Sequence, residues 1–225
     1  MEKQAKRAKF FRNIVANSMI FGIVLGLVLF IAFQASAAVT VSEPINRGSK
    51  ENTISLMVSV TRNSESLDKI LNTLDELDIK ATFFVSGFWV AENNEAAKRM
   101  VERGHELGNQ GFFSHNQSTL YRDRIREEID LTHRLVKRVT GENMFLYSPL
   151  SGAWSTSSLP VIEEMGYKMV IPSREGIRNE TEITSGEIIL LQQTNDEMAA
   201  LVQNLTILRE RFTFAPIGEV IYLTA

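Results

Sequence analysis

The chain has 225 residues and a mass of 25.4 kDa, room for one ordinary domain and an appendage. Hydrophobic residues at 44% and charged residues at 23% are globular proportions, which exclude a disordered chain. Cysteine is absent, which removes disulfides, thiolate zinc sites, iron–sulfur clusters and a cysteine nucleophile. The net charge of −3 is unevenly divided: residues 1–37 carry five Lys/Arg and one acidic residue, leaving 19 basic against 26 acidic residues beyond them. So acidic a body argues against nucleic acid, whose phosphates need basic patches that displace counterions.

Lys3, Lys6, Arg7, Lys9 and Arg12 precede an apolar run from Met19 to Phe33, and Ala35-Ser36-Ala37 follows as a small-x-small triplet of the kind signal peptidases accept. Two fates stay open. Residues 1–37 are a signal peptide cut near Ala37, or residues 14–39 remain as a signal anchor crossing the bilayer with the N-terminus inside. Either fate predicts an extracytoplasmic working domain. Residues 38–52, with Pro, Gly and polar side chains, read as a linker, and residues 53–225 as the domain itself.

Along that domain, Ile54, Leu56, Val58 and Val60 alternate with Ser55, Met57 and Ser59, the period of a strand. Leu67, Ile70, Leu71, Leu74 and Leu77 then stripe one helix face. Ala81–Val85 reads as a second strand, 94–103 as a helix and Glu106–Gln110 as a strand. Ile125, Ile129, Val136 and Val139 stripe a helix over 122–140, with Gly141 as its stop. Further strands are predicted at Phe145–Tyr147, Met169–Ile171, Ile188–Leu191 and Val220–Leu223, and further helices over 156–165 and 195–211. Short strands alternating with helices predict an α/β fold with a mainly parallel sheet, open or closed into a barrel. Ligands in such folds lie at the C-terminal strand ends, which directs attention to the loops 59–65, 86–92, 109–121, 148–155, 172–186 and 192–196.

Two segments carry a resemblance. Leu67–Gly87 (LDKILNTLDELDIKATFFVSG) and Ala97–Gln110 (AKRMVERGHELGNQ) resemble NodB-type polysaccharide deacetylases, carbohydrate esterase family 4, and the likeness extends over about 54–223. The resemblance implies a distorted, incomplete (β/α) barrel. It also implies an activity: removal of an N-acetyl group from a sugar by a divalent metal, usually zinc, held by an Asp and two His, with a second Asp as base. That chemistry needs a cation to polarise the amide and acidify a water, and a carboxylate to take the proton.

At the positions the resemblance assigns to these roles, the chain carries other residues. The base position is Ser59 and the metal-binding aspartate position Val60. The two histidine positions fall on Gln110 and Ser114, with His115 one residue late. The third motif's Arg falls on Ser148, beside Pro149 and Gly152. The fourth motif's Trp and Asp fall on Pro172 and Glu175, and the last motif's His on Gln192. The resemblance therefore implies a degenerate member with no catalytic residues, no metal site and no cofactor, binding cell-wall glycan or a surface protein. Two alternatives stand beside it. One is a working metal-dependent N-deacetylase whose site is rebuilt from His115, Glu175 or Asp196 converging near Ser59. The other is a membrane-anchored interaction subunit of a wall-processing assembly. A serine nucleophile at Ser59 or Ser114 lacks a histidine–acid pair at a defined spacing.

Aromatic faces suit sugar rings, so Trp89, Trp154, Phe113 and His115 are the candidate glycan contacts, while Phe88 and Phe112 read as caps on the core. His105 reads as a packing residue and His133 as an exposed helical one. Comparing the N-terminal residue of the protein in membrane and secreted fractions separates cleavage near Ala37 from retention of 14–39.

Overall fold

The strands marked by alternation pair in parallel around one central member, β1 (Thr53–Val60). The others are β2 (Thr82–Val85), β3 (Glu106–Asn109), β4 (Leu146–Tyr147), β5 (Lys168–Met169), β6 (Arg174–Glu175), β7 (Ile188–Leu190) and β8 (Thr213–Phe214). Their order is β5-β4-β3-β2-β1-β7-β6, and β8 joins the start of β1 at Thr53 and Ile54. This computed structural model describes residues 17–28, 43–62 and 65–221. Residues 43–225 form one compact unit and residues 1–42 another. In the latter, 17–28 are helical with exposed apolar side chains, and the rest of the expected export or anchor segment lies outside the described residues. Among the described residues no helix is long and apolar enough to cross a membrane.

Helices connect the strands: α1 (Glu65–Glu76), α2 (Gly87–Glu92), α3 (Asn94–Glu102), α4 (Arg122–Thr140), α5 (Ser158–Glu164), α6 (Asn195–Arg209) and α7 (Ile217–Ile221). Their starts and stops follow local chemistry. The Ser86 hydroxyl accepts the Trp89 N–H at the head of α2, and Thr194 accepts the Glu197 N–H at the head of α6. Gly141, at φ 82°, ends α4 as expected, in the left-handed conformation that glycine adopts without strain. Burying Ile125, Ile129 and Val136, α4 packs its apolar stripe into the outer core.

The alternation of the strands divides the apolar residues into two layers. Ile54, Leu56, Val58, Val60, Phe83, Val85 and Leu107 face the helices. Met57, Phe84, Leu146, Val170 and Ile188 face the inside of the curled sheet, where they meet Ala215, Ile217, Val220 and Ile221. The strand expected at Val220–Leu223 is thus corrected. Val220 and Ile221 belong to the short helix α7, and residues 222–223 lie outside the described residues. A short apolar run fits a strand or a buried helical turn equally well. Here the turn is selected because it plugs the barrel at the N-terminal ends of the strands. The Thr82 hydroxyl accepts the Ile217 N–H at 2.8 Å, and the Glu106 carboxylate accepts the Gly218 N–H at 3.0 Å. Burial pushes the Glu106 carboxyl above the usual range, against the bonds from Gly218 and Thr82.

The linker expected over 38–52 also needs correction. Ile45 bridges to Val170 just past β5, donating its N–H to the Met169 carbonyl and accepting from Ile171. Two residues on, Arg47 bridges to Glu187 just before β7. This strap therefore ties the β5 edge of the open sheet to the start of β7, the strand next to the β6 edge. The Arg47 guanidinium donates to the Ser185 carbonyl at 2.8 Å and to Thr184, and lies 3.7 Å from the Glu187 carboxylate. Gly186, at φ 84°, lies so close to the Gly48 carbonyl that a Cβ there would collide with backbone. Polar composition marked the segment as a linker, yet its backbone groups are what the sheet edges need.

His105 begins the turn into β3 and is 4% exposed, edge-on to the Phe83 ring at 5.0 Å. Its Nδ1 accepts the Ala81 N–H at 3.3 Å, so the folded state holds the neutral ring. Burial depresses its pKa from 6.5 to about 4. A depressed histidine contributes stability that is present above pH 6.5 and is lost as pH falls toward 4. The melting temperature is expected to drop across that window, and to drop less in His105→Gln, as thermal unfolding at stepped pH would read. Arg47→Ala is expected to cost about 1–2 kcal/mol through its lost bonds to the Thr184–Ser185 turn, measured by urea unfolding.

Candidate functional site

Because all pairings are parallel, the C-terminal ends of the strands gather at one rim. Val60, Val85, Asn109, Tyr147 and Met169 stand side by side across the sheet. On the inward face, the residue two steps beyond each plug residue lies one layer nearer that rim. Met57 leads to Ser59, Leu146 to Ser148, Val170 to Pro172 and Ile188 to Leu190, and Gly108 leads to Gln110. These five line one cleft of about 540 Å³, together with Met57, Pro149, Leu150, Ser151, Gly152, Ile171 and Glu175. The cleft therefore has an apolar plug beneath it and a polar floor.

That floor is built from neutral groups. The Ser59 hydroxyl donates to Gln110 Oε1 at 2.8 Å, and Gln110 is 2% exposed. The Ser148 hydroxyl is buried at 1% exposure and has no hydrogen-bond partner among the described residues. Glu175, at the edge strand β6, is the one carboxylate among the described residues of the lining, and it accepts from the Gln192 amide at 3.1 Å. Gln193 donates to the Ser59 carbonyl at 3.0 Å. A second lobe of about 460 Å³ shares Ser59, Leu150 and Leu190 with the first and extends over Thr61, Arg62, Leu191 and Gln193.

Of the seven positions singled out in the sequence, Ser59, Gln110, Ser148 and Glu175 converge on this cleft, and Gln192 reaches it through Glu175. Val60 does not. It is 1% exposed within the outer core, on the opposite face of β1 from Ser59. Ser114 is buried in the loop after β3 at φ 53°, its hydroxyl without a partner among the described residues, and does not line the cleft. The three groups considered for a rebuilt site lie apart. His115 is held at 3.1 Å by the Glu128 carboxylate on α4, Glu175 lines the cleft, and Asp196 lines a separate small pocket with Arg178 and Glu197.

The candidate glycan contacts fare unevenly. Trp89 is corrected: at 1% exposure its ring lies inside the outer core, because α2 forms where a loop was expected and turns it inward. Trp154 is half-buried against that core. Phe113 is exposed and stacks near Phe88, Phe112 and His115, with the Arg124 guanidinium 5.9 Å from its ring centre. Phe88 is 46% exposed and joins this surface cluster in place of the expected core cap. His133 is likewise corrected, being half-buried and bonded to the Tyr167 hydroxyl at 2.5 Å.

Sequence reading overlooked the groups that hold the rim. Asn109 is fully buried and donates to the Ile129 carbonyl and the Tyr167 hydroxyl, while its Oδ1 accepts the Gly111 N–H. Burial pushes the Tyr167 phenol up to about 12, and the same hydroxyl is hydrogen-bonded to His133 Nδ1. Glu128, 1% exposed, accepts the Phe113 N–H at 2.7 Å and pairs with Arg124 at 2.8 Å. A glutamate on the apolar stripe of α4, four residues after an arginine, was the available signal.

The polysaccharide deacetylase profile matches residues 46–170, more than half of the chain and all of the segment that builds β1 to β5. The chain belongs to the polysaccharide deacetylase family. The YlxY protein of Bacillus subtilis is 26% identical over 182 residues, covering 75% of this chain and 57% of that protein. The peptidoglycan-N-acetylmuramic acid deacetylase PdaA of Bacillus subtilis is 32% identical over 122 residues, covering 54% of this chain and 46% of its own length. The chain thus spans about half the length of these curated relatives. Among solved structures, BA3943 of Bacillus anthracis, a family 4 carbohydrate esterase pseudoenzyme, superposes with a TM-score of 0.73 at 28% identity, over 79% of this chain and 68% of that one. A mutant of BA3943 has restored enzymatic activity.

The two serines of the floor make opposite expectations. Ser59→Ala strips the donor from a buried amide oxygen and is expected to cost about 1–2 kcal/mol, whereas Ser148→Ala removes an unpartnered hydroxyl and is expected to be neutral or slightly stabilising. Urea unfolding of the two variants checks the contrast.

Proposed function

We propose that this member of the polysaccharide deacetylase family is an extracytoplasmic glycan-binding domain without hydrolase chemistry, acting at the cell wall. The observation that carries the reading is the cleft floor. At the rim where the family resemblance places a base and a metal, Ser59, Gln110 and Ser148 offer hydroxyl and amide groups, and Glu175 the one carboxylate. These residues do not fit a divalent cation. A zinc site takes three or four ligands of the imidazole, thiolate or carboxylate kind, and among the described residues no three His, Asp or Glu side chains cluster to hold a metal. Neutral hydroxyl and amide groups instead match the hydroxyl and acetamido groups of a sugar, which also need no desolvated charge to bind them.

The relatives support the cell-wall setting, since PdaA and the matched enzymes of Bacillus cereus carry peptidoglycan deacetylase names. Residues 1–39 support an export or anchoring role, which on this reading holds the domain outside the cytoplasm.

Incubated with N-acetylated chito-oligomers or peptidoglycan, the protein is expected to release no acetate with added zinc, with cobalt or with chelator, beside an active family member as control. Soluble cell-wall fragments are expected to shift the amide signals of Gln110, Ser148 and Gln193. Chelator-sensitive acetate release would overturn the non-catalytic reading, and unshifted signals at every concentration would overturn the glycan reading.

A further inference from the structure

The second lobe of the cleft carries a feature that neutral-sugar recognition does not require. Arg62, two residues past the end of β1, lines it alongside Thr61 and Gln193. Its side chain is exposed, and among the described residues no carboxylate or carbonyl engages the guanidinium. Arg124, beside the Phe113 cluster, is by contrast committed, pairing with Glu127 and Glu128. Glu175 lines the first lobe on the β7 side, paired in register with Leu190 and bonded to Gln192. The second lobe therefore sets an uncommitted positive charge beside the neutral floor of the first. The buried, unpartnered Ser148 hydroxyl in the first lobe marks that floor as shaped for a hydrogen-bonding ligand.

The geometry points to Arg62 as an anion subsite that selects a carboxylate-bearing unit of the glycan, and this rests on the glycan-binding reading above. A neutral N-acetylated ring occupies the first lobe over Ser59, Gln110 and Ser148. The next unit of the chain lies over Ser59 and Thr61 and turns its carboxylate toward the Arg62 guanidinium, a planar fork suited to bidentate pairing. The carboxylate has two sources in wall glycan: the sugar's own lactyl group when no peptide is attached, and the peptide when one is.

The test measures affinity of the full protein, by calorimetry and by NMR titration, for three probes. These are an N-acetylglucosamine oligomer, a peptide-free oligosaccharide containing N-acetylmuramic acid, and the same oligosaccharide with its peptide. A carboxyl-reduced form of the second probe isolates the charge. The acidic sugar is expected to bind about fivefold tighter than its reduced form at low salt, the range of a partly exposed charge pair, and to lose that margin in 0.5 M salt. Arg62→Gln is expected to abolish the margin between the acidic sugar and its reduced form, and Arg62→Lys to keep part of it. A margin seen only with the peptide attached would assign the subsite to the peptide carboxylate. Equal binding of acid and reduced forms, or indifference to Arg62→Gln, would overturn the anion subsite and leave the glycan reading intact. Failure of every probe to bind would overturn both.

Discussion

The two-residue period of β1, locked between two parallel neighbours, is the constraint on which the rest of the molecule depends. Met57 is paired with Thr82 on one side and Leu190 on the other, so its register cannot move without breaking both ladders. A slip by one residue would exchange every side chain between faces. Val58 and Val60 would leave the helix-covered core for the cleft, and the Ser59 hydroxyl would be buried among aliphatic side chains. The same period, repeated through β3 and β4, stacks a polar layer of Ser59, Gln110 and Ser148 above an apolar plug. Where the cleft lies and what it is made of are thus two consequences of one geometry.

The acidic composition of the domain does not reach this cleft because its buried carboxylates are used elsewhere, in a recurring way. Glu106 accepts the Gly218 N–H, Glu128 the Phe113 N–H, Glu187 the Thr184 N–H and Glu197 the Ile177 N–H. Each ties a loop or short turn to the barrel where the backbone would otherwise leave a donor unpaired. Burial raises the pKa of Glu197, as it does that of Glu106. At Glu187 burial acts in the same direction, but bonds from Arg174 and Thr184 outweigh it and hold the carboxyl below the usual range. The acidic residues so serve folding, while the cleft is left with neutral donors and the single carboxylate of Glu175.

An incomplete barrel must also deal with two sheet edges and two open ends. The strap at residues 45–48 hydrogen-bonds to the β5 edge and to the turn before β7, and α7 fills the end opposite the cleft. The two devices touch: Ser49 donates its N–H to the Val220 carbonyl, and Gly48 lies against the Val220 side chain. Closure at this end leaves the C-terminal rim as the one end where the cleft opens, with the exposed cluster of Phe88, Phe113 and His115 on loops beside it.

Strand periodicity and helix stripes determined most of the fold from sequence, because burial on one face leaves a pattern that needs no knowledge of the partner. The helix over 122–140 and its Gly141 stop are legible in this way, as is β1. The resemblance carried by LDKILNTLDELDIKATFFVSG and AKRMVERGHELGNQ likewise located Ser59, Gln110, Ser148 and Glu175 before any coordinates. Short elements were not legible: α2, β6, β8 and α7 are each too brief for a period to show, and only their packing selects them. The burial of Trp89, the strap formed by residues 45–49, the separation of His115 from Ser59 and the placement of Arg62 along the second lobe were all decided by tertiary structure. Each depends on which groups meet across long sequence distances, and that is information a local pattern does not carry.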